Sequence, residues 1–230
     1  MINPKVSVLI STFNDSQFLE KSIQSILDQT YENLEILVLD DNSTDNSVAI
    51  LEEIQQSSNN LKIYQNSKTQ GLTKALNKLL NNAEGEIISR HDTDDISLST
   101  KIERQVDLLQ KKNLDFCTSR AIVMNSNTKI PGYSFYLPNK ILIKFKNPFI
   151  HGTLLIKKNV LEDMGGYNEK FIYAQDYELF NRLIKSGYKY DVISEPLYLL
   201  NTKDNISTLK KNEQAYYAEC VRKNKNPELI

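Results

Sequence analysis

The feature that most restricts how this chain can fold is a repeated switch between two hydrophobic periods. Four times in roughly the first 120 residues, a short apolar run gives way to a stretch with apolar residues three or four apart. The run "VSVLIS" (6–11) leads into "NDSQFLEKSIQSILDQT". There Phe18, Leu19, Ile23, Ile26 and Leu27 share a helical face, and Asp15 or Ser16 can cap it. "LEILVLDD" (34–41) leads through the turn residues "NSTDNS" into a helix striped by Val48, Leu51 and Ile54. "LKIY" precedes "QGLTKALNKLLNNAEG", whose Leu72, Ala75, Leu76, Leu79 and Leu80 face inward and whose stop is Gly85. "EIIS" precedes a polar turn and a helix over 99–112, and "LDFCTS" supplies a fifth strand. Short apolar strands joined through amphipathic helices specify an α/β fold with a mostly parallel, Rossmann-like central sheet and right-handed crossovers.

The second half is less regular. "HGTLLI" reads as a strand, "NVLEDMGG" as a short helix stopped by Gly165-Gly166, and "QDYELFNRLIKSG" as a helix stopped by Gly187. With no linker or repeat, the expectation is a single domain over 1–230 with an irregular C-terminal half. A hydrophobic content of 40% supports a real core. Lys+Arg of 28 against Asp+Glu of 29 gives no electrostatic reason to expect nucleic acid as a partner. Cys117 and Cys220 form no metal-binding spacing and suit a reduced compartment. No leader-like segment opens the chain, and no run reaches the ~20 apolar residues of a membrane span. The expected location is the cytoplasm, at most peripheral at the inner face of the membrane.

In open parallel sheets ligands bind beyond the carboxyl ends of the strands. Three strands end there in polar groups: Ser11-Thr12, Asp40-Asp41, and Asp92 with Asp94 and Asp95 in "SRHDTDDIS". A helix cap needs only one such residue, so the doubling points to a ligand. GxGxxG and GxxxxGK[ST] are both absent, and an EF-hand fails because Ser97 stands where its turn requires glycine. If 92–94 are extended, Asp92 and Asp94 point to the same side and can hold Mg²⁺ or Mn²⁺, leaving positions for water and a diphosphate.

At this point the chain resembles the family 2 inverting glycosyltransferases of the GT-A fold, which build bacterial polysaccharides. The likeness spans roughly 5–200 and rests on four motifs in order: "VSVLISTFND", "EILVLDDNSTDNS", "SRHDTDDIS" and "GGYNEKFIYAQDYELFNRL". It implies that Ser11 and Asp41 contact the nucleobase and ribose of a nucleotide-sugar, with Thr12 at the same edge. Asp92-Thr93-Asp94 matches the metal-binding DxD motif, with Asp95 a further acidic position. Asp176 matches the catalytic base, although Gln175 replaces the usual glutamate before it. The "QxxRW" signature of processive members is missing, which favours transfer of one sugar. A UDP-sugar donor and a glycan or lipid-linked acceptor are implied, with about 1–120 binding the donor and about 121–230 the acceptor.

Other residues are open to two readings. Arg90 can balance the aspartates or touch the diphosphate, or lie solvated at the surface. His151 suits a place near the metal or acceptor, or a structural one. Gly71 reads as a turn. Tyr133, Phe135 and Tyr136 read as packing, with acceptor stacking as the alternative. The stretch 139–149, "NKILIKFKNPF", interleaves lysines with apolar residues and suggests peripheral membrane contact, or else a buried element with lysines at its margin. Asp176 is expected at the N-cap of its helix. Two other functions fit an acidic metal site on a nucleotide-binding sheet: a sugar-phosphate nucleotidyltransferase and a non-catalytic nucleotide or metal-binding module.

Overall fold

The computed structural model describes residues 3–203 and 210–228. The four apolar runs form β1 (Val6–Thr12), β2 (Leu34–Asp40), β3 (Leu61–Gln65) and β4 (Ile87–Arg90), parallel in the order β3-β2-β1-β4. Beyond β4 the sheet continues through strands from the second half. β8 (Leu155–Lys157) pairs antiparallel with β4 and with β6 (Phe116–Val123). β6 runs parallel to β9 (Tyr190–Leu200), which carries the two-residue β5 (Ile96–Ser97), while β7 (Thr128–Ile130) forms a hairpin with β6. One nine-stranded sheet therefore joins both halves.

Helices cover both faces because the central strands are apolar on both. From β1, Val6, Val8 and Ile10 enter one layer with Leu19, Ile23 and Ile26 of α1 (Ser16–Leu27), Leu51 of α2 (Ser47–Gln56) and Val106 of α4 (Lys101–Lys111). Leu9 enters the other layer with Leu76 and Leu79 of α3 (Leu72–Asn82), Leu161 of α6 (Lys158–Asp163) and Phe180 of α7 (Gln175–Lys185). α8 (Lys211–Lys223) adds Tyr217, Cys220 and Val221 to this second layer, and α5 (Asn139–Leu142) is a single turn. At roughly 1.5–3 kcal/mol for each buried large aliphatic side chain, these two layers hold the sheet between them. No helix of the described residues is long and apolar enough to cross a membrane.

Several local expectations are corrected. Only the last part of "HGTLLI" is strand, since His151–Thr153 form a 3₁₀ turn. β9 is eleven residues long although Pro196 lies inside it; the proline sits at a register shift against Arg120, where a missing N–H costs no regular ladder bond. α3 stops at Asn82, so Gly85 is not its cap. A Cβ at Gly85 would lie 2.6 Å from Ser7 Oγ and 2.7 Å from Lys5 O, so this glycine permits close approach of β4 to β1. Nor does Asp15 or Ser16 cap α1 through its side chain. Asp45 does so from the neighbouring loop, accepting the Ser16 and Ser47 amides (both 3.0 Å) at the starts of α1 and α2.

Candidate functional site

The carboxyl ends of β1, β2 and β4 form one edge. The chain turns sharply there through Asn14 and Asn42, whose positive φ values (56° and 68°) asparagine tolerates better than most residues. Asn14 Oδ1 accepts the Thr44 amide (2.8 Å) and its own N–H donates to Ser43 Oγ (2.9 Å), which ties the two loops together. Ser11 is half-buried. Thr12 is buried and its Oγ1 has no partner. Asp40 accepts the Ser43 amide with Oδ2 (3.0 Å), but its Oδ1 is buried without a partner. Asp41 is fully engaged: its carboxylate accepts the amides of Gln70 (2.9 Å) and Gly71 (2.7 Å) and the Asn66 side chain (2.8 Å). Gly71, at φ 89°, brings that amide round to the carboxylate. Among residues at these strand ends, Thr12 and Asp40 therefore carry buried polar atoms without partners.

The aspartate cluster is a tight turn rather than an extended strand, because the Asp95 amide donates to Asp92 O (3.3 Å). This corrects the expected same-side geometry. Asp92 is partly exposed and Asp94 half-buried, while Asp95 points inward at 1% exposure and accepts the Asn201 amide (2.7 Å). Burial, then repulsion from Asp92, pushes the Asp94 carboxyl up to about 6. Asp95 is raised for the same reasons, with Asp94 adding to the repulsion.

The turn is fastened on every side. The Asp92 amide donates to Tyr198 Oη (3.1 Å), Asp92 O accepts Ser22 Oγ (3.1 Å), and Thr93 Oγ1 donates to Asp15 Oδ2 (2.5 Å). Beneath it His91 is fully buried between Ser22 Oγ (2.8 Å) and Ser97 Oγ (3.0 Å), and burial holds it neutral.

Arg90 is not at the surface. It is 1% exposed and donates to Leu9 O (2.8 Å), His91 O and Asp92 Oδ1 (2.5 Å). Its role is to pin the turn to β1 and to oppose Asp92, since a buried guanidinium must be paired. Lys101, also buried, donates to Arg90 O (3.1 Å), and burial brings its ammonium down to about 7. Tyr198, Asn201, His91 and Lys101 were not singled out from the sequence.

Asp176 reaches this edge from α7. It is the second residue of the helix, and the cap position belongs to Ala174, in a left-handed conformation at φ 52°. This corrects its expected place at the N-cap. Its Oδ2 accepts Asn147 Nδ2 (2.7 Å). Burial raises its pKa and the charge of Asp92 adds to the rise, so these two carboxyls lie within electrostatic reach despite their separation in sequence. Two neighbours are committed elsewhere: Glu178 pairs with Arg182 through two bonds (2.7 and 2.8 Å), and His151 bonds Tyr167 Oη (2.9 Å). Burial, then Arg90, lowers His151 to about 3. The packing expected for Tyr133 and Tyr136 does not occur, since they are 96% and 76% exposed, whereas Phe135 stacks on Arg120 (4.9 Å).

The description Glycosyl transferase family 2 matches residues 7–182, and the chain belongs to this family. Two relatives come from Escherichia coli. The O-antigen biosynthesis glycosyltransferase WbnJ is 31% identical, over 94% of this chain and 85% of WbnJ. WfgD, named as a UDP-Glc:alpha-D-GlcNAc-diphosphoundecaprenol beta-1,3-glucosyltransferase, is 30% identical over 79% of this chain and 70% of WfgD. Among solved structures, the mannosyltransferase PcManGT from Pyrobaculum calidifontis, in complex with GDP-Man and Mn²⁺, superposes with a TM-score of 0.78. It is 20% identical and covers 99% of this chain and 67% of its own. The fold is GT-A, and the protein is a glycosyltransferase with relatives in surface-polysaccharide synthesis. Family membership removes the nucleotidyltransferase alternative.

The donor set fits a divalent cation of limited protein ligation. Among the described residues no three His, Cys, Asp or Glu side chains converge as a metal cage. Asp92 and Asp94 instead lie in one turn, close enough to repel each other, and two carboxylates suit a hard ion that keeps its other positions for water and phosphate.

Proposed function

We propose that this protein is an inverting, single-addition transferase that moves a sugar from a UDP-sugar to a hydroxyl of a glycan or lipid-linked acceptor. The observation that carries this reading is a buried carboxyl on α7, Asp176, held by Asn147 and within electrostatic reach of Asp92 in the turn beyond β4. Transfer with inversion needs charge stabilisation on the side of the leaving diphosphate and a proton acceptor on the opposite face of the sugar. Two separately mounted carboxylate groups meet that requirement, and one cluster would not.

Asp92 and Asp94 would hold Mn²⁺ or Mg²⁺, which when bound neutralises charge on the departing nucleoside diphosphate. Ser11, half-buried at this edge, would face the nucleoside, with Thr12 and Asp40 buried behind it, while Asp41 shapes this pocket by holding the 70–71 backbone. Arg90 acts through the turn it pins. Asp95 serves by fixing the turn to Asn201. In the transfer step the acceptor hydroxyl gives its proton to Asp176, its oxygen bonds to the anomeric carbon, and the bond to the diphosphate breaks. UDP is favoured because WfgD bears UDP-Glc in its name, and the same name supports a diphospholipid-linked acceptor. On this reading residues of about 1–120 bind the donor and those beyond hold the acceptor, with the reaction on the cytoplasmic side of the membrane.

The test is nucleotide release from a panel of UDP- and GDP-sugars with Mn²⁺, Mg²⁺ or chelator. Release confined to UDP-sugars and abolished by chelator is expected. Release only from GDP-sugars overturns the donor assignment, and undiminished release in chelator overturns the metal.

A further inference from the structure

Seven large apolar side chains are strongly exposed among the described residues, and five of them fall within 133–145. Tyr133 and Tyr136 lie on a 3₁₀ turn, Leu137 follows it, and Ile141 and Phe145 project beyond (54%, 55% and 67% exposed for the last three). Exposed lysines 140, 144 and 146 alternate with them. The charge pattern is lopsided on a larger scale. The 46 residues from 116 to 161 contain seven lysines and arginines and no aspartate or glutamate, in a chain whose totals of 28 and 29 nearly cancel.

The inner side of the same segment is firmly seated. Ile143 and Phe149 are buried in the core layer around α7, and Tyr177 Oη donates to Ile143 O (2.7 Å). Asn147 holds Asp176 (2.7 Å). The outer apolar residues are thus presented by a fixed scaffold. Exposed apolar side chains concentrated in one short segment mark an interaction site. Tyrosine and phenylalanine interleaved with lysine are the composition that suits the boundary of an anionic bilayer, where rings enter the headgroup layer and ammonium groups meet lipid phosphates.

We propose that the surface formed by residues 133–146 docks on an anionic lipid bilayer. This deepens the reading of a lipid-linked acceptor given above, because Asn147 places the docked surface next to Asp176, at the mouth where such an acceptor's hydroxyl would arrive.

The experiment is co-sedimentation of the purified protein with vesicles of phosphatidylglycerol and phosphatidylcholine, free of any glycan lipid, against vesicles of phosphatidylcholine alone. Binding to the anionic vesicles that weakens with salt is expected. The triple variant Lys140→Gln, Lys144→Gln, Lys146→Gln should lower the partition coefficient on the order of 10²-fold. Ile141→Ser with Phe145→Ser should lower it by about tenfold or more.

Absence of binding to anionic vesicles overturns the proposal. So does equal binding to neutral vesicles, or wild-type binding by the double serine variant, which would leave a surface that reads charge alone, as a soluble polyanion would. Donor hydrolysis measured without vesicles separates the two readings. It should be unchanged in both variants, which touch only exposed positions. Hydrolysis without docking defeats the surface and spares the transferase, and docking without hydrolysis does the reverse.

Discussion

Asp176→Asn isolates the chemistry of one oxygen. Asp176 lies inside α7 rather than at its cap, so the helix start does not depend on it. Its carboxylate accepts Asn147 Nδ2 (2.7 Å) and the Tyr177 amide, and the amide oxygen of asparagine can accept such hydrogens. The fold should therefore change by no more than about 1 kcal/mol. What is lost is the proton acceptor, and a positioned general base contributes about 10²–10⁴-fold, so turnover should fall by at least about 10² with donor affinity retained.

The pH profile gives a second reading of the same residue. Burial raises the Asp176 pKa, Asp92 adds to the rise, and the bonds from the Tyr177 amide and Asn147 oppose it. A base works only when ionised, so kcat/KM should climb with pH through a value above the ordinary carboxylate range. Asn147→Ala removes a bond that favours the charged form and should move that limb to higher pH. The assay is transfer to acceptor across pH 4 to 9, with calorimetry for donor binding. Near-wild-type turnover in Asp176→Asn refutes the assignment, and a fall in donor affinity matching the fall in rate makes the residue a donor ligand instead.

Three further outcomes are expected. Asp94→Ala should abolish metal-dependent UDP binding in calorimetry while altering stability by no more than about 1 kcal/mol, since this half-buried carboxyl is crowded by Asp92. Glu35, on β2, is 2% exposed; burial pushes its carboxyl up, but bonds from Ser7, the Glu84 amide, Lys62 and Lys5 outweigh this and hold it at about 2, against the usual 4.5. Its stabilisation of roughly 3 kcal/mol is complete above pH 4.5 and lost as pH falls toward 2, so urea melts of Glu35→Gln and wild type should differ at pH 7 and converge near pH 2. Gly85→Ala would force a Cβ against Ser7 N and Lys5 O (both 2.7 Å), and thermal melts should show a loss of about 2 kcal/mol or more.

The parallel half of the sheet was legible in the sequence because its strands are buried on both faces and read as unbroken apolar runs. β1 to β4 lie where those runs lie. The second half was harder for identifiable reasons. β8 is three residues long, and nothing in "LLI" records that it runs antiparallel between β4 and β6. Pro196 hides β9, because proline normally argues against a strand, and only the bulge opposite Arg120 makes room for it. Aspartates were easy to single out and hard to orient. Asp92, Asp94 and Asp95 differ in exposure because the turn directs them differently, and one hydrogen bond within it overturns an extended reading. Arg90 looked like surface because it is charged; its burial follows from three acceptors supplied by β1, by its own neighbour and by Asp92.

The partners of the aspartate turn explain why the two halves must fold together for the site to exist. β4 delivers the turn, yet a four-residue loop carrying three carboxylates repels itself and has little backbone pairing of its own. Its amide and carbonyl at Asp92 are held by Tyr198 of β9 and Ser22 of α1, and Asp95 is held by the Asn201 amide just past β9. β9 can reach it because β5, immediately after the turn, pairs with β9 through Ile96 and Leu199. The short β5 pairing thus closes the sheet edge around the carboxylates, and Asp176 arrives on α7, directly before β9 in the chain. A chain lacking β9 would keep the DxD residues in sequence and lose the scaffold that crowds them, so the cation-binding arrangement depends on the pairing of elements a hundred residues apart.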